Sequence, residues 1–487
     1  MASIAKDRRR QQSKLSRRQR RRQHKARQRA ERQLRRLAEQ APSTIRCLWH
    51  TFAAAFTRPT CYRFFVLVLA GLLTTGNHTV LNLLRTLGPL VPGDPSSYHR
   101  VFSKRRWSLW TVARILAEQI IGQFPVAGSI RLVGDDTVDG HRGKKVFGKG
   151  RHRDAVRSSH SYTAFRYGHK WVVLAILVSL PFASRPWALP ILVALYRNPA
   201  DDKKQGRRHK TPAQWMRQML KVVLRWFPDR HFLFAGDGGY GTHELTRTAA
   251  KRPQRLTLVS RFYPDANLCQ PPPAPPRRKG AGRPRVKGAK LPSPAQVVAQ
   301  SKDRQKLNVA WYGGGRRDVE VVTGTAHWYK AGEGLAPILW IFVHDCTGTH
   351  RDEYFFTTDT SLLAQAVIEN FTRRWSIETT FQEMRAYLGL ETTRGRCART
   401  VLRVAPCLFG LYSVVALLYT RLPARYTGIW GIYWPGKKEA TFSDAITAVR
   451  RWLWQEWVFA IPGHHEAFAK LRRPFRQLVL SGLAPAA

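Results

Sequence analysis

The chain has 487 residues, 44% hydrophobic and 11% aromatic, which suffices for about three domains with sizeable cores and excludes wholesale disorder. Lys and Arg number 82 against 31 Asp and Glu, a formal net charge of +51, so a polyanionic partner is expected, nucleic acid ahead of an anionic membrane surface. The six cysteines form no CxxC pair, which argues against a disulfide framework or a structural zinc site and suits a reducing cytoplasm.

Residues 1–44 read as a basic tail, exemplified by Arg17-Arg18-Gln19-Arg20-Arg21-Arg22, disordered or transiently helical alone and ordering on phosphates. They contain no apolar stretch and so are no secretory signal. Residues 45–128 show helical periodicity punctuated by Gly76-Asn77 and Pro92-Gly93, a small helical DNA-binding domain with Arg100, Lys104, Arg105 and Arg106 as basic contacts. The apolar runs Phe64–Leu73 and Trp171–Leu180 fall short of the roughly 20 residues that span a bilayer, so no membrane association is expected.

At Ser129 the period changes. Arg131–Gly134 reads as a short strand ending in Asp135-Asp136-Thr137, followed by a basic loop rich in Gly and His. Two apolar strands follow, then a helix over Pro212–Phe227, a strand Phe232–Ala235 closing on Asp237, a helix Glu244–Ala250 and a strand Leu256–Ser260. This order makes residues 129–265 the first part of an α/β domain, the catalytic one on the resemblance given below. Residues 266–358 form a Pro-rich, basic linker and a β-rich insertion with runs Leu307–Tyr312, Val319–Tyr329 and Ile338–His344. Residues 359–400 hold one long helix beginning near Ser361, and 401–487 are helical, basic and rich in Trp.

In a chain so poor in acids, carboxylates at element ends stand out. Asp135 or Asp136, Asp237 and Glu378 could be gathered into a crevice beyond the strand ends. Three carboxylates suit Mg²⁺, or Mn²⁺, as two ions for in-line phosphoryl transfer. Taken singly each has a bland reading, as a turn residue, a cap or one half of a surface ion pair. Asp136 rivals Asp135, because strand alternation points the two to opposite faces. On the long helix Phe371, Arg374, Glu378 and Arg385 share a face, while Glu383 points elsewhere and Glu391 lies near the helix end. Arg374 is expected to be largely exposed.

These segments resemble the DDE transposases of bacterial insertion sequences, in the group marked by a Tyr-Arg-Glu-Lys signature, from about residue 45 to 420. LVGDDT is similar to the first aspartate segment, FLFAGDGGYG to the second and RRWSIETTFQEMRAYLGLE to the third, pointing to Asp135, Asp237 and Glu378. Arg374 falls on the signature Arg, Phe371 stands where Tyr is usual and Arg385 where Lys is usual. The Phe loses a hydroxyl contact to phosphate; the Arg keeps the charge.

The resemblance implies an RNase H-like mixed sheet flanked by helices, two Mg²⁺ (or Mn²⁺) ions, cleavage at transposon ends, and strand transfer into target DNA. It also implies double-stranded DNA partners, a homodimer in the DNA complex, a bacterial cytoplasm with nucleoid association, and a DNA hairpin route in related members. There a Trp of the insertion stabilises a flipped base; Trp311, Trp328 and Trp340 are candidates by region, with sheet core the competing role. Gly282-Arg283-Pro284-Arg285 resembles a minor-groove hook, making Arg283 and Arg285 further DNA contacts. Two other functions stay open: a non-catalytic basic nucleic-acid-binding protein descended from a transposase, and another RNase H-like nuclease, against which the long insertion argues.

Overall fold

The computed structural model describes residues 17–154, 158, 161–273, 285–427 and 435–485. Helix α1 (Arg17–Glu39) takes up most of the stretch read as a tail. Its Arg, Gln, Ala and Leu content favours helix, i,i+4 pairs Arg27–Glu31 and Arg35–Glu39 support it, and Leu34, Leu37 and Ala38 are buried. Trp457 Nε1 donates to the Leu37 carbonyl at 3.1 Å and ties the helix to the C-terminal region. Residues 17–39 are therefore helical and packed at the C-terminal end of the helix, a correction to the expectation of a tail disordered or transiently helical alone.

Helices α2 (Ser43–Ala53), α3 (Arg58–Leu73), α4 (Val80–Leu87), α5 (Pro95–Ser103) and α6 (Leu109–Gln123) form the expected helical domain. Side chains of Thr79, Asp94 and Ser108 accept the first orphan N–H groups of the last three. The apolar run Phe64–Leu73 is almost wholly buried inside α3.

The sheet begins with β1 (Ile130–Gly140), β2 (Gly150–Arg153), β3 (Phe165–Val178) and β4 (Trp187–Tyr196). β3 lies antiparallel between β1 and β4. After α7 (Pro212–Trp226), β5 (Phe232–Gly236) pairs parallel with β1; after α8 (His243–Ala250), β6 (Leu256–Arg261) pairs parallel with β5. β1 is longer than the sequence suggests, because β3 pairs with it from Leu132 to Gly140 and so carries Asp135 and Asp136 inside the strand.

The insertion contributes β7 (Leu268–Cys269), β8 (Gln305–Ala310), β9 (Arg316–Lys330), β10 (Gly334–Asp345) and β11 (Glu353–Thr357). These strands build no sheet of their own. β11 pairs antiparallel with β6, so a single ladder runs β2-β3-β1-β5-β6-β11-β10-β9-β7, with β4 on β3 and β8 on β9. The result is the expected mixed α/β class, a large mixed sheet flanked by helices.

The single long helix is two: α9 (Ala364–Arg373) and α10 (Ser376–Tyr387). At the junction the N–H groups of Arg374 and Trp375 bond back three residues, to Phe371 and Thr372, tightening the turn. The C-terminal region holds α11 (Ala398–Tyr419) and α12 (Phe442–Leu453). By length and composition α11 is apolar enough to cross a membrane, longer than either Phe64–Leu73 or Trp171–Leu180; here it packs on β4, and Ser413 donates to the Pro190 carbonyl at 2.8 Å. Buried Arg450 of α12 donates to the carbonyls of Leu72, Thr74 and Tyr387 at 2.8, 3.0 and 3.1 Å, joining three regions of the chain.

Candidate active site

Gly134 of β1 stands opposite Gly236 of β5, and Gly236 opposite Ser260 of β6, in parallel register. The next residues are Asp135, Asp237 and Arg261. Neighbouring strands lie about 4.8 Å apart, so these three form a row across the carboxyl ends of parallel strands. Only β5 stops there, and the chain turns off at Asp237, whereas β1 runs on along β3 to Gly140 and β6 includes Arg261.

The two adjacent aspartates separate by strand alternation. Asp136 binds Lys170 Nζ at 2.8 Å and accepts from the Tyr240 hydroxyl at 3.3 Å. Asp135 points to the opposite face, towards α9 and α10, where Arg374 Nη1 meets its Oδ2 at 2.7 Å. Arg374 Nη2 meets Glu378 Oε1 at 2.9 Å, so one guanidinium spans both carboxylates. The Arg374 side chain is 7% exposed, against 41% for Glu378, and its expected exposure is corrected here: the α9–α10 junction aims it inward over β1.

Burial pushes the Asp135 carboxyl up to about 7; Asp136 and Asp237 add to the rise, and Arg374 opposes it. Arg374 itself is held above its ordinary value by Asp135, Glu378 and Asp237, although burial works against its charge. Three carboxylates repelling one another around a single cation have the hard-oxygen chemistry of a Mg²⁺ or Mn²⁺ site. Among the described residues no three acidic, His or Cys groups are yet gathered closely enough to share an ion. Arg374 is the cation that lies between Asp135 and Glu378.

Arg385 reaches β1 two residues further along the same face, donating to the Thr137 hydroxyl and pairing with Glu391 at 3.1 Å. It is therefore beside Arg374 over β1 but partnered by Glu391, not by Glu378. Phe371 is fully buried against Phe355, ring centroids 4.5 Å apart, with the Arg261 and Arg374 guanidinium groups each 5.6 Å from its ring. Glu383 points elsewhere as expected, to Arg185 at 2.7 Å and the Tyr412 hydroxyl at 2.6 Å.

Trp311, Trp328 and Trp340 are core residues, 8%, 8% and 3% exposed, so the base-flipping candidates by region are corrected to packing roles. Arg285 is exposed, and Arg283 lies outside the described residues.

Sequence reasoning missed Arg261 and its surroundings. Arg261 pairs with buried Glu353 at 2.5 Å, and Tyr312 and His350 lie close by. Arg261 Nε, Arg374 Nε, Glu353 Oε2 and His350 Nε2 are buried without a hydrogen-bond partner. This leaves unspent polar capacity beside the acids. The strand-end rule that singled out Asp237, applied to Leu256–Ser260, would have found Arg261.

A sequence family described as DDE superfamily endonuclease matches residues 51–318, a span that contains Asp135 and Asp237 and ends before Glu378. No curated protein matches the chain. Among solved structures, the cryo-EM structure of piggyBac transposase synaptic complex with hairpin DNA is similar at 11% identity and a TM-score of 0.39, over 88% of this chain and 77% of that one.

Proposed function

Since the chain belongs to the DDE superfamily endonucleases, we propose that it is a DNA transposase of the bacterial insertion-sequence type, cleaving transposon ends and joining them to target DNA. Asp135, Asp237 and Glu378 are the catalytic acids and would hold Mg²⁺ or Mn²⁺. Such ions supply charge neutralisation at the phosphate and a more acidic bound water. The reading is supported by one relationship above all: Asp135 and Asp237 directly follow Gly134 and Gly236, the last parallel pair of β1 and β5, and Arg374 links the first of them to Glu378.

The chain's own groups divide the work. In the absence of metal, Asp135 keeps a proton near neutrality, and Arg374 is the counter-charge that makes three crowded carboxylates tolerable. When DNA enters, Arg374 and Arg385 are placed over β1 to hold phosphate oxygens, since guanidinium groups stay charged and bind them bidentately. Water attacks phosphorus at the transposon end and the bond to the 3′ oxygen breaks. The freed 3′ hydroxyl then attacks the phosphorus of a target phosphodiester, giving up its proton as the target strand's own 3′ oxygen is displaced and leaves as a hydroxyl. Two DNA ends and a target call for two copies of the chain in the working complex, and the +51 charge suits residence on the nucleoid.

The test uses duplexes carrying the inverted repeats that flank the gene. Asp135→Asn, Asp237→Asn and Glu378→Gln should each reduce metal-dependent cleavage by more than the roughly 100-fold that losing an outer-shell partner costs. Duplex binding should survive. Full cleavage by any of the three would remove that residue from the site, and by all three the function itself.

A further inference from the structure

Beyond the acids β1 ends at Gly140, and the first residues of β3 continue with β2 as a two-stranded ribbon. At its base three glycines stand side by side, Gly140 opposite Gly168 and Gly168 opposite Gly150. A Cβ on Gly168 would fall 1.5 Å from the Asp139 carbonyl oxygen, so no other residue fits there. The row lets the three backbones approach closely at the base of the ribbon.

The ribbon's two faces differ. Inward, His152 is buried and Arg166 binds Glu391 at 2.7 Å. Outward, the directly opposed pairs are Arg151 with Tyr167 and Arg153 with Phe165. Phe165 is 49% exposed and Tyr167 60%. The Arg151 guanidinium lies 3.8 Å from the Phe165 ring centre and Lys149 Nζ 5.9 Å from that of Tyr167. The stretch His141–Arg153 has six Lys or Arg and no acid.

Scattered exposed aromatics are ordinary. Two on one strand face, each under a cation and with no carboxylate from that stretch, are a different matter, because cations held over rings fix the ring planes for stacking.

We propose that this outward face is a stacking platform for unpaired bases of a DNA strand, with Phe165 and Tyr167 as the platforms and Lys149, Arg151 and Arg153 on its phosphates. Base–aromatic stacking plus a cationic track is the chemistry by which single strands are held without sequence preference. Tyr167 and Phe165 lie six and eight residues along β3 from Val173, the residue opposite Asp135. At about 3.4 Å per residue this is about 20–27 Å from the acids. A strand leaving the acids along β3 would reach the platform about six to eight nucleotides from the cleaved phosphate at the 3.4 Å rise of stacked DNA. The inference rests on the chain acting on DNA, and not on which residues cut it.

The test is fluorescence anisotropy of the full-length protein with a labelled oligothymidylate and with a blunt duplex of equal length. Phe165→Ala/Tyr167→Ala should weaken oligothymidylate binding about tenfold or more and duplex binding less than about twofold, with the salt dependence unchanged. Arg151→Gln/Arg153→Gln should instead reduce the salt slope by about 0.7 for each phosphate no longer neutralised. Phe165→Trp/Tyr167→Trp should restore affinity and show tryptophan quenching on binding. Phe165→Leu/Tyr167→Leu keeps apolar bulk without a stacking face and must lose affinity like the Ala pair. Equal loss on duplex and single strand, no loss, or tighter binding of oligouridylate than oligothymidylate would overturn the assignment. Asp237→Asn, which abolishes cutting on the proposed function, should leave oligothymidylate binding intact, so the two readings fail separately.

Discussion

Arg374 and Asp135, 239 residues apart in the chain, meet at 2.7 Å in a nearly dry contact. At pH 8, where Asp135 is largely ionised, removing one partner of such a pair leaves a buried charge uncompensated. Arg374→Ala should therefore cost about 3 kcal/mol of stability. Arg374→Lys, which keeps the charge but cannot span two carboxylates, should cost visibly less. Urea melts of both variants without metal measure this, and a loss below about 1 kcal/mol for the Ala variant would show the ion pair to be idle.

The same site gives stability a pH slope of unusual sign for an aspartate. Its folded carboxyl titrates near 7, raised by burial from an ordinary value of 3.8. Between those values the folded chain holds a proton that the unfolded chain has released. Stability should fall as pH rises through this window, by up to about 4 kcal/mol, and level off above it. In EDTA, Asp135→Asn should flatten that slope and be more stable than the parent at pH 8. Parallel curves for the two proteins would contradict it.

Helix α1 changes how its positive charge should be tested. Leu34 and Leu37 dock into the core, so deleting residues 1–40 would remove packing as well as charge. Arg21, Arg22, Lys25, Arg29 and Arg32 are exposed on the same helix. Changing these five to Gln should leave melting within about 1 kcal/mol and lower the duplex salt slope, by about 0.9 for each phosphate that the helix ceases to neutralise. An unchanged slope would mean that the helix does not touch DNA.

Gly168→Ala should be severe for a single methyl group. With a backbone oxygen in the way, the β1–β3 ladder must part at that point. A loss of about 2 kcal/mol or more is expected. Oligothymidylate affinity should fall with it, measured below the melting temperature.

The strand before Asp237 was readable because an apolar run ending in a charge looks the same in sequence as in space, whereas β1 runs past Asp135 to Gly140. Choosing Asp135 over Asp136 was not possible there, since the phase of β1 is set by β3, which pairs with it across separations of 28 to 44 residues. Burial of Arg374 was equally hidden: in a chain with 82 basic residues nothing local distinguishes the one that turns inward at a tightened helix junction. Helical α1 was obscured for the converse reason, because two leucines on an arginine-rich helix give little sign of the pocket awaiting them. Arg261 was missed because a strand end was searched only for acids.

The pairing of β6 with β11 has a consequence for how the polypeptide can be divided. Breaking the chain between Gln270 and Pro294 would leave the first piece with β6 lacking one neighbour and β7 lacking its only one, while the second would carry β8 to β11 and Glu378 without Asp135. Neither half can close the ladder by itself. Expressed together, they should be recovered as one particle that melts in a single step, and a mutation weakening either half should lower the yield of both.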